Sequence, residues 1–440
     1  MGKLYALCTS PGRLVNGVTI AAMRKLPLAI MLGAVAGLAV FGGLVYWNPP
    51  VQRQVSWRVD IAMTYLRGVF NPADTIPTTL PHPQVLITHQ SPATPTAQVT
   101  HEPTQTPTAG PTATPTPSPT PIPQSVALSA PKWEKQDANN CGPASLALYL
   151  RYYGWEGDQF TISDLIKPQR ADRNVNVEEM LYYVRNRAGW LNIEFRVGGD
   201  VDTLKRFIAA GIPIMIEESI PLDQSYWPND DRWAAHYMLL TGYDDTIQSF
   251  TGQDTYYGPD KELPYQKLDK DWQAFNRVYI LVYPPGKETE VKSILGPHWG
   301  VDYNRQHAQE VARAETQADP QNAFAWFNLG TNLTYFEHYI DATEAFDRAR
   351  NLGLPQRMLR YQFGPFIAYF HTGQRDDLAA MIEYALTITR NSEETFLWRG
   401  WMKYRQGDKQ GAVEDFRRAL AENPSYQDAL YALDFVGAAQ

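Results

Sequence analysis

Between Pro92 and Pro123 the chain carries ten prolines and ten threonines in 32 residues. Proline lacks the backbone N–H that helices and sheets need, and threonine adds little apolar surface, so this stretch cannot build a core. Extended polyproline conformations suit it, with a reach on the order of 100 Å at about 3.1 Å per residue. Its threonines are candidates for O-linked sugars. The chain must therefore fold on either side of this stretch. At 440 residues it is also too long for one ordinary domain.

Upstream, Leu26 to Trp47 contains no charged side chain. A helix of that length rises about 33 Å, enough to cross a hydrocarbon core of roughly 30 Å. Lys3, Arg13, Arg24 and Lys25 precede it with no acid among them, which favours a cytoplasmic N-terminus. The expected layout is a cytoplasmic segment over 1–25 and a single-pass membrane anchor over 26–47. A juxtamembrane segment over 48–77 follows, and then a Pro/Thr-rich disordered linker over 78–125. All later domains would be extracytoplasmic, held at the cell membrane. A cleaved signal peptide is the rival reading, but the run is long and no polar stretch with a small-residue cleavage site follows it. Within the juxtamembrane segment, Val55 to Phe70 reads as an amphipathic helix, with Val55, Val59, Met63, Tyr65 and Leu66 apolar. It would lie on the membrane surface or serve as a stalk.

The net charge of -8 argues against a nucleic-acid binder. There are two cysteines, Cys8 and Cys141. They fall on opposite sides of the expected membrane span and so cannot pair. Cys141 is then a free thiol in an oxidising compartment, which calls for either a use or deep burial.

Residues 126–285 mix helical and strand signals, as an α+β domain does. In the block Gln136 to Gly154, Pro143 suits the first turn of a helix, Leu146, Leu150 and Tyr153 share one helical face, and Gly154 is a natural stop. Cys141 is thus expected at a helix N-terminus, where the helix dipole and free N–H groups favour a thiolate. A nucleophilic cysteine also needs a base. This domain holds one cysteine and one histidine, Cys141 and His236, so one pair of this kind can be built in it. Ala234 to Tyr243 reads as a buried strand, Asp244-Asp-Thr as a turn, and Ile247 to Asp254 as the returning strand. A hairpin turning about Asp245 sets His236 directly opposite Asp254, on one face. Asp254 would hold the imidazole in place, the third role of a triad. Asp244 and Asp245 are rivals in the expected turn. No His/Cys cluster has metal-ligand spacing and no phosphate-binding glycine loop occurs, so neither a metal nor a cofactor is expected.

The block from Gln136 to Cys141-Gly-Pro-Ala, the later His236-Tyr-Met-Leu-Leu-Thr-Gly-Tyr-Asp and Asp254 ahead of Gly258-Pro259 resemble the bacteriocin-processing (double-glycine) cysteine peptidases. They are most similar to the exported relatives that lack a transporter. The resemblance covers roughly residues 126–285. It implies a papain-like fold, with Cys141 as nucleophile, His236 as general base and acid, and Asp254 as orienter. It also implies Gln136 as side-chain oxyanion donor beside the backbone N–H of Cys141. The family's glutamine stands six residues before the cysteine, whereas Gln136 stands five before, and Asn139 and Asn140 are alternatives. The implied chemistry is hydrolysis of peptide bonds through a thioester. A papain-like module that grips peptides without cutting, an amidase or transpeptidase of the same geometry, and a surface scaffold are the other readings.

After a connector over 286–302, residues 303–440 turn helical and repetitive. Gly330, Gly364 and Gly400 recur at near-constant spacing. Trp326, Leu329, Gly330, Ala342, Phe346, Ala349 and Pro355 follow the tetratricopeptide pattern, as do Gly400, Ala412, Phe416, Ala419 and Pro424. The middle copy, with Tyr369, Leu378 and Ala385, is weaker, and Ser425 to Val436 reads as a capping helix. The expectation is an all-α solenoid whose surface binds a peptide or protein partner.

Overall fold

The structure is a computed structural model that describes residues 49–70, 75–80, 121–170 and 172–438. The chain divides into two units, Met1–Phe70 and Asn71–Gln440. The expected membrane span at 26–47 lies outside the described residues. In the first unit, helix α1 covers Pro49–Phe70. Val59, Met63, Leu66 and Phe70, at helical spacing, are all exposed, so the expected apolar stripe is present. Among the described residues no helix is long and apolar enough to cross a membrane.

The second unit holds an antiparallel sheet followed by stacked helices. The sheet strands are β1 (Ser125–Ala127), β2 (Asn192–Arg196), β3 (Ile214–Pro221), β4 (Trp233–Asp244), β5 (Ser249–Asp254), β6 (Gly258–Pro264) and β7 (Tyr279–Tyr283). Their order is β2-β7-β3-β4-β5-β6, and β1 pairs with β4 where β3 stops. Strand alternation gives the sheet two buried faces. Tyr237, Leu239, Ile280 and Val282 join one core with α2 (Cys141–Tyr152), α3 (Gln159–Ile166) and α4 (Val177–Arg187). Met238, Leu240, Tyr279 and Leu281 join the other with α5 (Val201–Ala209), α6 (Tyr265–Gln273) and α7 (Glu288–Leu295). The expected connector over 286–302 contains α7.

The helical region begins with α8 (Val301–Ala318). Helix pairs follow: α9 (Ala323–Tyr335) with α10 (Tyr339–Leu352), then, beyond the short α11 (Met358–Tyr361), α12 (Gly364–Thr372) with α13 (Arg375–Ile388), then α14 (Glu393–Arg405) with α15 (Lys409–Glu422). Helix α16 (Gln427–Phe435) closes the stack at the place expected for a cap. The repeated glycines have a packing reason. A Cβ at Gly330 would lie 2.7 Å from the Phe346 ring, and one at Gly400 would lie 2.4 Å from the Phe416 ring, so each glycine lets its helix press on its partner's phenylalanine. Gly364 departs from this: it faces Phe346 of the preceding pair, which matches the weak pattern of the middle copy.

Residues 78–80, at the start of the expected linker, lie against the repeats. Pro77, Thr78, Thr79 and Leu80 are hydrogen-bonded to Arg350, Asn351 and Asp377 of the repeats. At the other end, Ser125 already belongs to β1. Residues 81–120 lie outside the described residues, but both flanks of that stretch rest on the same unit.

The helical region packs directly on the sheet domain. Trp233, at the start of β4, stacks on Phe275 at 5.6 Å and on Phe324 of α9 at 6.3 Å between ring centres. Asn276 and Asn332 exchange amide hydrogen bonds of 2.9 and 3.2 Å, and Arg277 pairs with Glu315 at 2.7 Å.

Candidate active site

Cys141 is the first residue of α2, and Asn140 is its N-cap. The turn before it is braced from outside: Gln159 accepts hydrogen bonds from the Asp137 N–H at 2.7 Å and from Asn140 Nδ2 at 2.8 Å. The Gln159 Nε2 in turn donates to Glu134 and to the Lys135 carbonyl. A buried glutamine therefore fixes the segment that presents the thiol. Nothing local in the sequence marked it for that role.

His236 lies on β4 and Asp254 ends β5, and both are buried. The His236 Nε2 and Asp254 Oδ1 are 3.0 Å apart. The hairpin does not turn about Asp245. Asp244 pairs with Ser249, and past a bulge Leu239 pairs with Gln253. Continuing that register sets Asp254 beside Met238, two residues from the position opposite His236. An even displacement keeps Asp254 on the face shared by Met238 and His236, so the contact survives as a diagonal one. The rival acids are occupied elsewhere. Asp244 accepts from Thr246, and Asp245 accepts from Lys205 and Tyr265.

Nε2 is turned to Asp254, and His236 bears on Cys141 through its hydrogen-bonding capacity and its charge. Burial alone pushes the Cys141 thiol up. The hydrogen bond and charge of His236, with backbone N–H groups of Tyr237 and Gly142, outweigh it and hold the thiol below its ordinary value. Burial likewise opposes the imidazolium, but Asp254 and Cys141 overcome it and raise His236 to about 10. Asp254 is held below the usual carboxylate range despite burial, by His236 and by the N–H groups of Tyr257 and Tyr256 at 2.9 and 2.6 Å. These shifts agree in sense: all favour a thiolate–imidazolium–carboxylate row.

Gln136 lies one step to the side. Its N–H donates to the Thr255 carbonyl at 2.9 Å, and its Oε1 accepts from Thr255 Oγ1 at 2.8 Å. It is thereby tied to the residue after Asp254, and no hydrogen bond joins it to Cys141. Asn140 is buried and its Nδ2 is committed to Gln159. Asn139 takes a left-handed backbone conformation, φ 54°, in the turn before the helix. Two acids on β3 were not foreseen. Glu218 is the cross-strand neighbour of His236, and Glu217 that of Tyr237. Burial raises both, Glu218 to about 7 and Glu217 well above the carboxylate range. Among the described residues no group of three or more His, Cys, Asp or Glu side chains is arranged to hold a metal ion.

The arrangement brings together groups that nucleophilic acyl transfer uses: a thiol at a helix start, a histidine that lowers its pKa and a carboxylate hydrogen-bonded to that histidine. Solved structures similar to this chain include a putative C39-like peptidase from Bacillus anthracis, 18% identical, covering 36% of this chain and 98% of that one with a TM-score of 0.29. Xylellain, a cysteine protease from Xylella fastidiosa, is 14% identical over 37% of this chain and 87% of that one, with a TM-score of 0.29. The MamA protein is 16% identical over 35% of this chain and 85% of that one, with a TM-score of 0.27. No curated protein matches the chain. The model of the Peptidase_C39 like family matches residues 122–280, the span that carries Cys141, His236 and Asp254. Residues 122–280 thus match the Peptidase_C39 like family model, and stacked helix pairs follow them in the same chain.

Proposed function

We propose that this chain is a cysteine peptidase that hydrolyses peptide bonds with Cys141 as nucleophile, His236 as general base and acid, and Asp254 as the group that orients His236. The observation that carries the reading is the row from Asp254 Oδ1 through His236 to a thiol at the start of α2. The Cys141 sulfur attacks the substrate carbonyl carbon, and the carbonyl oxygen takes up the negative charge. The backbone N–H of Cys141 at the helix start would stabilise that charge. Gln136 is the side-chain candidate, because Thr255 holds its Oε1 and leaves Nε2 as the free end of the amide. As the tetrahedral adduct collapses, the C–N bond breaks and His236 gives its proton to the leaving amine. Water, deprotonated by His236, then attacks the thioester and releases the acid product and the thiol.

The helical repeats would hold a protein partner or substrate beside this site. The uncharged run at 26–47 would anchor the chain in a cell membrane with these domains on the extracytoplasmic side, which suits a free thiol kept in use. The test uses the full chain in detergent, incubated with a mixed peptide library and read by mass spectrometry. Cleaved products from the native chain and none from Cys141→Ala are expected. Products joined to an added amine would identify transfer in place of hydrolysis. Cleavage undiminished in Cys141→Ala would overturn the assignment.

A further inference from the structure

Residues 75–80 run extended along the repeats, and their contacts have the character of ligand recognition. Ile76 is buried in the apolar core of the first two helix pairs. The Arg350 guanidinium donates Nε to the Pro77 carbonyl at 2.9 Å and a terminal nitrogen to the Thr78 carbonyl at 3.1 Å. Asn351 reads Thr79 with both ends of its amide: Oδ1 accepts from the Thr79 N–H at 3.2 Å, and Nδ2 donates to Thr79 Oγ1 at 3.0 Å. The Leu80 N–H donates to Asp377 Oδ1 at 3.3 Å. Main-chain groups of four successive residues are thus read by three side chains from α10 and α13.

The polar groups of the cleft also hold one another. Arg350 and Asp377 are fully buried side chains 2.9 Å apart, and Arg350 also donates to the Tyr369 hydroxyl at 2.8 Å. That fixes the guanidinium so that its remaining N–H groups meet two carbonyls of an extended strand. Without the segment those donors would lose their partners, since among the described residues Arg350 Nε donates to Pro77 alone. Such a donor set fits the backbone of any extended peptide. Selectivity comes from one apolar pocket at Ile76 and from the Thr79 hydroxyl.

We propose that the cleft of Arg350, Asn351 and Asp377 is a binding site for an extended, uncharged peptide of the pattern Ile-Pro-Thr-Thr-Leu, which the chain fills with its own residues 76–80. The segment acts as an intramolecular ligand. A tethered ligand faces its site at an effective concentration on the order of millimolar, so a free peptide enters only when the segment is displaced. The site is separate from Cys141 and its test does not depend on thiol chemistry.

The experiment uses the full chain in detergent carrying Cys141→Ala, which removes any cleavage of the probe. The probe is a fluorescein-labelled peptide of residues 75–81, read by anisotropy. The chain with Ile76→Asp, whose own segment no longer fits the apolar pocket, should bind the probe at least about tenfold more tightly than the chain with Ile76. Adding Asn351→Ala, at an exposed position, should weaken that binding by about fivefold or more. A probe with aspartate in place of the isoleucine should bind neither chain. Absence of binding to the Ile76→Asp chain, or equal binding with and without Ile76→Asp, would overturn the proposal.

Discussion

The Arg357 guanidinium of the repeats grips both carboxylate oxygens of Asp230, each at 2.6 Å, on the loop that leads into the strand of His236. Both side chains are buried. Burial raises the Asp230 carboxyl, but Arg357 outweighs it and holds the group below the carboxylate range. Arg357 also stacks over the Trp227 ring at 4.1 Å and donates to the Trp233 carbonyl at 3.1 Å. The repeats thereby fix the approach to β4.

Replacing Arg357 with methionine keeps the volume but leaves Asp230 buried without its cation. The expected loss is about 3–5 kcal/mol in urea unfolding, the usual cost of orphaning one member of a buried pair. Adding Asp230→Asn should restore part of it. A loss below about 1 kcal/mol would mean that the pair acts as an exposed bridge does.

The opposite shifts of Cys141 and His236 set the pH dependence of alkylation. Iodoacetamide reacts with the thiolate, so labelling of Cys141 should remain fast below the ordinary thiol value near 8.5. His236→Ala removes the hydrogen bond and charge that oppose burial, and the labelling midpoint should move upward. Peptide hydrolysis needs the protonated imidazole and should fall as pH rises through about 10. A midpoint unchanged by His236→Ala, read by mass spectrometry, would separate the histidine from the thiol.

Asp254→Asn tests orientation. The Tyr256 and Tyr257 N–H groups donate to Asp254 Oδ1, the atom that also faces His236, so an amide there keeps the loop only if its oxygen takes that position. It then loses the negative charge that stabilises the imidazolium. The rate should drop on the order of 10²-fold or more in kcat, with KM little changed. Labelling of Cys141 at pH 6 should slow in parallel, a readout that a merely structural role would not move.

The periodic features were legible in the sequence. The helix starting at Cys141, the alternation along β4 and the paired glycine and phenylalanine positions of the repeats all follow from local spacing. The face shared by His236 and Asp254 was legible because a two-residue error in register preserves it. Contacts between distant segments were not. Gln159 looks like an ordinary residue after a helix cap, yet it holds the Cys141 turn. Asp230 and Arg357, and likewise Thr78 and Arg350, meet only because the repeats fold back on earlier chain. Such pairs leave no periodic trace, since each partner needs only to be polar at one place.

A second junction between the domains should make stability depend on pH. Asn174 and Asn176 both donate to Glu394 Oε1 at 3.1 Å, and Asn423 donates to Glu179 at 3.1 Å and to Glu393 at 3.3 Å. Asp172 is buried nearby, with Lys167 donating to its carbonyl at 3.0 Å, and Tyr426 faces Glu394, Glu393 and Glu179. Burial raises Glu179, Glu393 and Glu394, repulsion from neighbouring acids adds to it for Glu179 and Glu393, and burial pushes Asp172 up to about 7. An acid whose folded value exceeds its unfolded one contributes stability that is complete below the ordinary carboxylate range, near pH 4, and is lost as pH rises through the folded value. Thermal unfolding of the full chain should therefore show a lower Tm at pH 8 than at pH 5. Glu394→Gln retains an oxygen for Asn174 and Asn176 while removing one charge, so it should raise Tm at pH 8 and leave it nearly unchanged at pH 5. A variant that lowers Tm equally at both values would mean that Glu394 is ionised and stabilising in the folded chain, opposite to the sense its burial implies.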